Sequence, residues 1–408
     1  MHQFARVVVV PALLLVSQPA AAQQYDLDSL LRAHRYALRL EDGHLRGAGA
    51  DLILEAAASA QFVGLLEEHN VSDLASLATA LFDTLRVAFG FRYLALEQGG
   101  IITNWLAEAA RHGGWDSVAT LAARWPHAPT FATDDELAMM AHVAATAGTA
   151  HPPVWGIDQE FGALHILERL AALAPNEEAR RRALVLAETA RRHEKDRLGD
   201  SLYLAQVALP SDFADLPALF APEPGSETER LIAALQFSSR VYYNNTLAQR
   251  GRPTGYENMR ERELGMKQRF LEEYDRARAA GDPEPRVLLK LGHWHLFRGI
   301  YRGDVPTFGN FASEFATAHG MNTFYLSSYV VESPEQWRNS PAFGDLALPG
   351  ETLTVVDFRP LRPYAHQGSI AELSATWKSL LFRADAALII RGGRTGPYTV
   401  TRRSVGAQ

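Results

Sequence analysis

The chain has no cysteine in 408 residues, which excludes a disulfide framework and a thiol nucleophile. It has no basic run either. Net charge is −7, with 40 Lys and Arg against 47 Asp and Glu, so nothing electrostatic favours nucleic acid or an anionic membrane surface. Beyond the N-terminus no segment reaches the roughly 18 uninterrupted apolar residues of a membrane-crossing helix. Internal repeats, heptad arrays and low-complexity tracts are absent. So are a Gly-x-Ser-x-Gly elbow, a His-Glu-x-x-His helix and a Gly-rich phosphate loop after a strand. These absences leave a small neutral or polar molecule as the expected partner, with no nucleic acid and no membrane for the mature chain.

Apolar residues make up 47% of the chain, ample for a large core. Residues 1–22 combine a weakly positive start (His2, Arg6), an apolar run over 7–16 and Ala20-Ala21-Ala22 before Gln23. That is the pattern of a secretory signal, and it predicts a periplasmic or secreted protein. With no disulfides in an oxidising compartment, stability has to come from the core alone.

Short apolar runs that end abruptly in polar chemistry recur along the chain. Residues 62–66 run into Glu67, Glu68 and His69, with a turn at Asn70 and a helix over 73–89 capped by Ser72 or Asp73. Residues 92–96 end in Glu97, 154–157 in Asp158, and 286–291 in Gly292-His293-Trp294-His295. Further strands are expected over 323–331, 352–358 and 386–391. Helical patterns fill 27–38, 51–60, 103–111, 116–124 and 134–147, the last capped by Asp134 or Asp135. From 163 to 281 the pattern is almost wholly helical. The alternation predicts a three-layer α/β fold with a mostly parallel central sheet and 163–281 as a large helical insertion or cap. Ligands and catalysis collect at the carboxyl ends of such strands. Glu67, His69, Glu97, Asp158 and His293 or His295 therefore converge on one edge, as an acid–base or metal site requires.

Several of these pieces resemble the erythromycin esterase family. Leu66-Glu67-Glu68-His69-Asn70 looks like its Gly-Glu-x-His-Gly motif with both glycines replaced, and the strand ending in Glu97 is similar to its second motif. Trp155-Gly156-Ile157-Asp158 resembles its Tyr/Trp-Gly-hydrophobic-Asp strand, and Arg262-Glu263-Leu264-Gly265-Met266 its Arg-Asp-x-x-Met helix. His295 matches the histidine after the last of these strands. Gly292 stands where many members carry the first histidine of His-Asn-x-His, and His293 follows one place later.

The resemblance implies an exported hydrolase that cleaves an ester by an activated water. His69 would be the general base, on the strength of an ordinary pKa near about 6.5. Glu67 and Glu97 would orient and stabilise it, His295 would protonate the leaving alkoxide, and Arg262 would hold the oxyanion. No cofactor is implied. Two alternatives remain open on the same residues. In one, Glu67, His69, Glu97 and His295 bind Mn²⁺ or Zn²⁺ in a metal-dependent hydrolase; in the other, the scaffold binds haem, iron or a small ligand without turnover.

Overall fold

The computed structural model describes residues 24–195, 202–301 and 303–400; the expected signal segment, 1–22, lies outside them. In chain order the strands are β1 (Arg35–Glu41), β2 (His44–Arg46), β3 (Ala60–Glu67), β4 (Tyr93–Gly99), β5 (Val154–Asp158), β6 (Val287–Gly292), β7 (Ile300–Tyr301), β8 (Val305–Pro306), β9 (Asn322–Val331), β10 (Leu353–Asp357) and β11 (Ala386–Arg391). β7 and β8 pair in a small ribbon. The other nine form one sheet in the order β2-β1-β10-β11-β9-β3-β6-β4-β5. All pairs from β11 to β5 are parallel, and β2, β1 and β10 extend the other edge antiparallel.

The central strands are continuous apolar runs because both faces of the sheet are covered. β3, β4, β5 and β6 are buried at every position. Alternate side chains feed opposite faces. Val63, Leu65, Leu94, Leu96 and Leu288 pack in one core cluster with residues of the helices Ala48–Ala58, Ser72–Phe89, Gly100–Arg124 and Asp134–Thr146. Phe62, Leu66, Tyr93, Ala95, Leu289 and Leu291 pack in another with Met266, Phe270 and Tyr274 of the helix Gly255–Ala279 and with Phe308 and Ala312 of the helix Phe308–Ala318. Each fully buried Val, Leu, Phe or Met side chain among them contributes about 1.5–3 kcal/mol of transfer free energy. The result is the expected three-layer α/β fold.

The described residues of 163–281 are mainly helical, but they share these core clusters with the strands. The helix Gly255–Ala279 lies directly on the sheet, which is how it delivers Arg262 to the strand ends.

Three local expectations are corrected. Residues 27–38 are not one helix: the helix Leu27–Ala33 stops, and β1 and β2 form a hairpin whose turn, Asp42-Gly43, has positive φ at both residues, 50° and 76°. Asp-Gly between two strands is a turn signal in its own right. Neither Ser72 nor Asp73 caps the helix Ser72–Phe89, which starts after Val71 with no side-chain cap; the Ser72 hydroxyl donates instead to Asp135 at 2.6 Å. The helix Asp134–Thr146 is capped by Thr133, whose hydroxyl accepts from the Glu136 amide.

Candidate active site

β3 ends on Glu67, and the chain leaves it through a turn at Asn70, where φ is 62°. Asparagine tolerates this left-handed conformation better than most side chains, so it can stand where the resembled motif has glycine. The turn is tied down from the far end of the chain. Arg338 donates to the His69 carbonyl at 3.0 Å, Gly396 N to the Asn70 carbonyl at 2.9 Å and Ser72 N to the Arg394 carbonyl at 3.1 Å.

His69, fixed in this way, stacks on Phe131 with ring centroids 4.2 Å apart and keeps 37% of its side chain exposed. Its Nδ1 lies 3.1 Å from Glu67 Oε1, and its Nε2 lies 3.8 Å from Glu97 Oε2. His295 approaches the same carboxylate from the short turn after β6. Its Nδ1 is 2.7 Å from Glu263 Oε1, and its Nε2 is 3.5 Å from Glu97 Oε1. Two imidazoles, each with a glutamate behind it, thus face the two oxygens of one buried carboxylate.

Glu97 is held on both oxygens: Oε2 accepts from Gly292 N and Oε1 from Arg262 Nη2, each at 2.8 Å. The Arg262 Nη2 and Nε groups also bind Asp158 at 2.5 and 3.0 Å, and Nε donates to Gln159 at 2.9 Å. Among the described residues its Nη1 makes no hydrogen bond. Below His69, the fully buried Lys290 joins Glu67 to Glu136, donating to Glu136 at 2.7 Å. Residues 288 and 290 of β6, like 65 and 67 of β3, face the layer that holds the helix Asp134–Thr146, so this ion triple lies on one side of the sheet. Glu97 and Arg262 meet on the other, and His69 spans the edge between them.

Glu67, His69, Glu97, His295, Arg262 and Asp158 are therefore brought together. His293 is not. Its ring points away, with Nε2 3.0 Å from the Ser328 carbonyl. Three participants escaped the sequence reading. Lys290 was visible as a lone lysine inside an apolar strand, and Glu263 as the neighbour of Arg262; nothing local marked Glu136.

The charges set the protonation states. Burial would push the Glu97 carboxyl up, but His295, His69 and Arg262 override it and hold it down at about 2. Glu67 is likewise penalised by burial yet ends below its ordinary value because of Lys290 and His69. Burial raises Glu136, while its neighbours keep Lys290 charged against burial. Burial opposes the charged form of His69, but Glu97 and Glu67 outweigh it and lift its pKa to about 9. This corrects the premise of the base role: at neutral pH His69 is an imidazolium, not a free base with an ordinary pKa.

Gly292 has a steric reason. A Cβ there would lie 2.7 Å from His69 Nε2 and 3.1 Å from Glu97 Oε2, so the position that carries histidine in the resembled motif has to be bare for His69 to reach Glu97.

A Mn²⁺ or Zn²⁺ ion does not fit this donor set. Among the described residues no group of three or more His, Cys, Asp and Glu has metal-holding geometry, and Lys290 and Arg262 already sit on Glu67 and Glu97.

Comparison with solved structures gives the fold a context. The chain superposes on a mutant erythromycin esterase in its open conformation with a TM-score of 0.53 at 13% identity, over 89% of this chain and 98% of the other. The likeness is one of fold. A protein from Bacillus cereus (TM-score 0.54, 12% identity, 90% and 98% of the two chains) and a succinoglycan biosynthesis protein (0.55, 12%, 91% and 97%) share it. No family model and no curated protein matches the sequence. At these identities the erythromycin esterase-like fold is shared, and the chemistry has to be argued from the site.

Proposed function

We propose that the protein is a hydrolase that cleaves an ester bond of a small molecule with a water activated beside Glu97. One observation carries the reading. His69 and His295 each have Nδ1 against a glutamate and Nε2 directed at opposite oxygens of Glu97, at 3.8 and 3.5 Å. That arrangement suits a proton given on one side and taken on the other.

The division of labour follows from charge. His69 starts the cycle protonated, so it is the general acid. His295, with Nδ1–H donated to Glu263, offers Nε2 as the general base. His295 takes a proton from water as its oxygen bonds to the ester carbon, and Arg262 Nη1 meets the oxyanion that forms. As the C–O bond to the leaving alcohol breaks, His69 Nε2 delivers its proton to that oxygen. Glu97 stabilises whichever imidazole is charged. These roles reverse those that an ordinary His69 pKa implies.

The test is a panel of aryl and alkyl esters with protein purified without added metal, assayed with and without EDTA, together with a visible spectrum. EDTA-insensitive cleavage with no Soret band is expected. EDTA-sensitive turnover would move the assignment to a metal enzyme, and a Soret band without turnover to a haem binder.

A further inference from the structure

The turns that carry His69 and His295 also build a second feature. Against Glu68 of the 67–69 segment lies a cavity of about 580 Å³, and its walls include Glu68, His293, Trp294, Phe297, Tyr329 and Phe343. Five of its twelve lining residues are aromatic. Tyr329 stacks on Phe343 with centroids 3.7 Å apart and on His293 at 5.4 Å, and His293 meets Phe297 at 5.4 Å. Trp294 remains 43% exposed, so the cavity is open to a ligand. The Glu68 backbone N–H donates to Ser328 Oγ at 3.0 Å, which fixes the residue, but among the described residues its carboxyl has no hydrogen-bond or ion-pair partner. Burial lifts its pKa above the ordinary value against the pull of Arg338 and His69, neither of which contacts the carboxyl. In the cavity wall itself His293 adds no charge: burial and the charge of His69 hold it down at about 4, so it is neutral. The cation in the cavity wall, Arg383, donates its Nη2 to the Ile300 carbonyl at 2.7 Å.

A cavity walled by aromatic faces with an unpaired carboxylate suits an organic cation, whose charge is attracted both by the ring faces and by the acid, and whose hydrocarbon part is desolvated by the walls. We infer that this cavity binds an ammonium-bearing group of the substrate, with Glu68 as its counter-ion. The inference rests on the hydrolase reading in taking the ligand as part of the substrate. Glu68 lies between Glu67 and His69 in the chain, so an ammonium group held there places an ester tethered to it next to the catalytic turn.

Choline and its uncharged isostere, with carbon in place of nitrogen, are the probes. Binding is followed by calorimetry on the wild type, Glu68→Gln and Ser379→Trp, the last of which fills the cavity wall. The wild type is expected to prefer choline by about tenfold or more. Glu68→Gln should bring the two ligands to similar affinity, and Ser379→Trp should weaken both. An equal preference in wild type and Glu68→Gln, or no choline binding by the wild type, overturns the inference. The acetate esters of both probes then separate the two levels of the argument. Cleavage of both esters with equal kcat/KM sinks the ammonium pocket and leaves the hydrolase reading standing. Choline binding without cleavage of any ester sinks the hydrolase reading and leaves a cation-binding cavity.

Discussion

At the scale of single residues, the site is a problem in charge balance solved largely out of sight of solvent. Glu67, Glu97, Asp158 and Glu263 are all buried, and a carboxylate there persists only with a partner. Arg262 and Lys290 provide permanent charge, and His69 adds a removable one. The sequence displayed the carboxylates and histidines because each ends a strand or follows one. It hid Lys290 and Glu136, whose pairing depends on a helix and a strand 154 positions apart meeting on the same face. Lys290 carries a sharp prediction. Lys290→Met leaves Glu67 and Glu136 buried without their cation, and urea unfolding at neutral pH should show a loss of about 3–5 kcal/mol. The double variant Lys290→Met/Glu136→Leu should recover part of it, since one stranded carboxylate is gone. If Lys290→Met unfolds like the wild type, the triple contributes nothing and Glu67 is held by His69 alone.

At the scale of elements, the pattern of apolar runs located the strands of the site with end shifts of one to three residues, and these lie side by side in one parallel sheet. The pairing order was not legible. β6 inserts between β3 and β4, although it follows them by a long helical stretch, because adjacency in a sheet depends on which strand fills the gap and not on chain order. Residues 27–38 depart from the helical expectation because Leu27, Leu30 and Leu31 carry a helical period that stops at His34, beyond which the chain enters the hairpin closed by Asp42-Gly43. Close approach matters more than propensity at the end of β6. In Gly292→Ala the added methyl would displace the His69 ring from Glu97, so ester cleavage should fall by about tenfold or more while the melting temperature moves little, since a surface-facing imidazole can swing outward. An alanine variant with wild-type turnover would mean that His69 does not work in the position seen here.

For the whole molecule, a sheet covered on both faces leaves its carboxyl edge as the place where buried charge and solvent meet, and six of the residues singled out from the sequence arrive there from β3, β4, β5, β6 and the helix Gly255–Ala279. Convergence was legible because parallel strands share one edge; the direction of proton flow was not, because it depends on the summed field at His69. The assignment of acid and base turns on that field. Its most direct test is the pH dependence of ester cleavage, measured for the wild type and His69→Gln with melting temperatures on the same samples. A histidine raised to about 9 is protonated below that pH and loses its proton above it, so an acid role predicts a wild-type rate that falls as pH rises through about 9. His69→Gln should be slower by roughly 10²-fold at neutral pH, lack that falling limb, and melt within a few degrees of the wild type. A wild-type rate that instead keeps rising through pH 9, or a His69→Gln protein with unchanged turnover, would contradict the assignment.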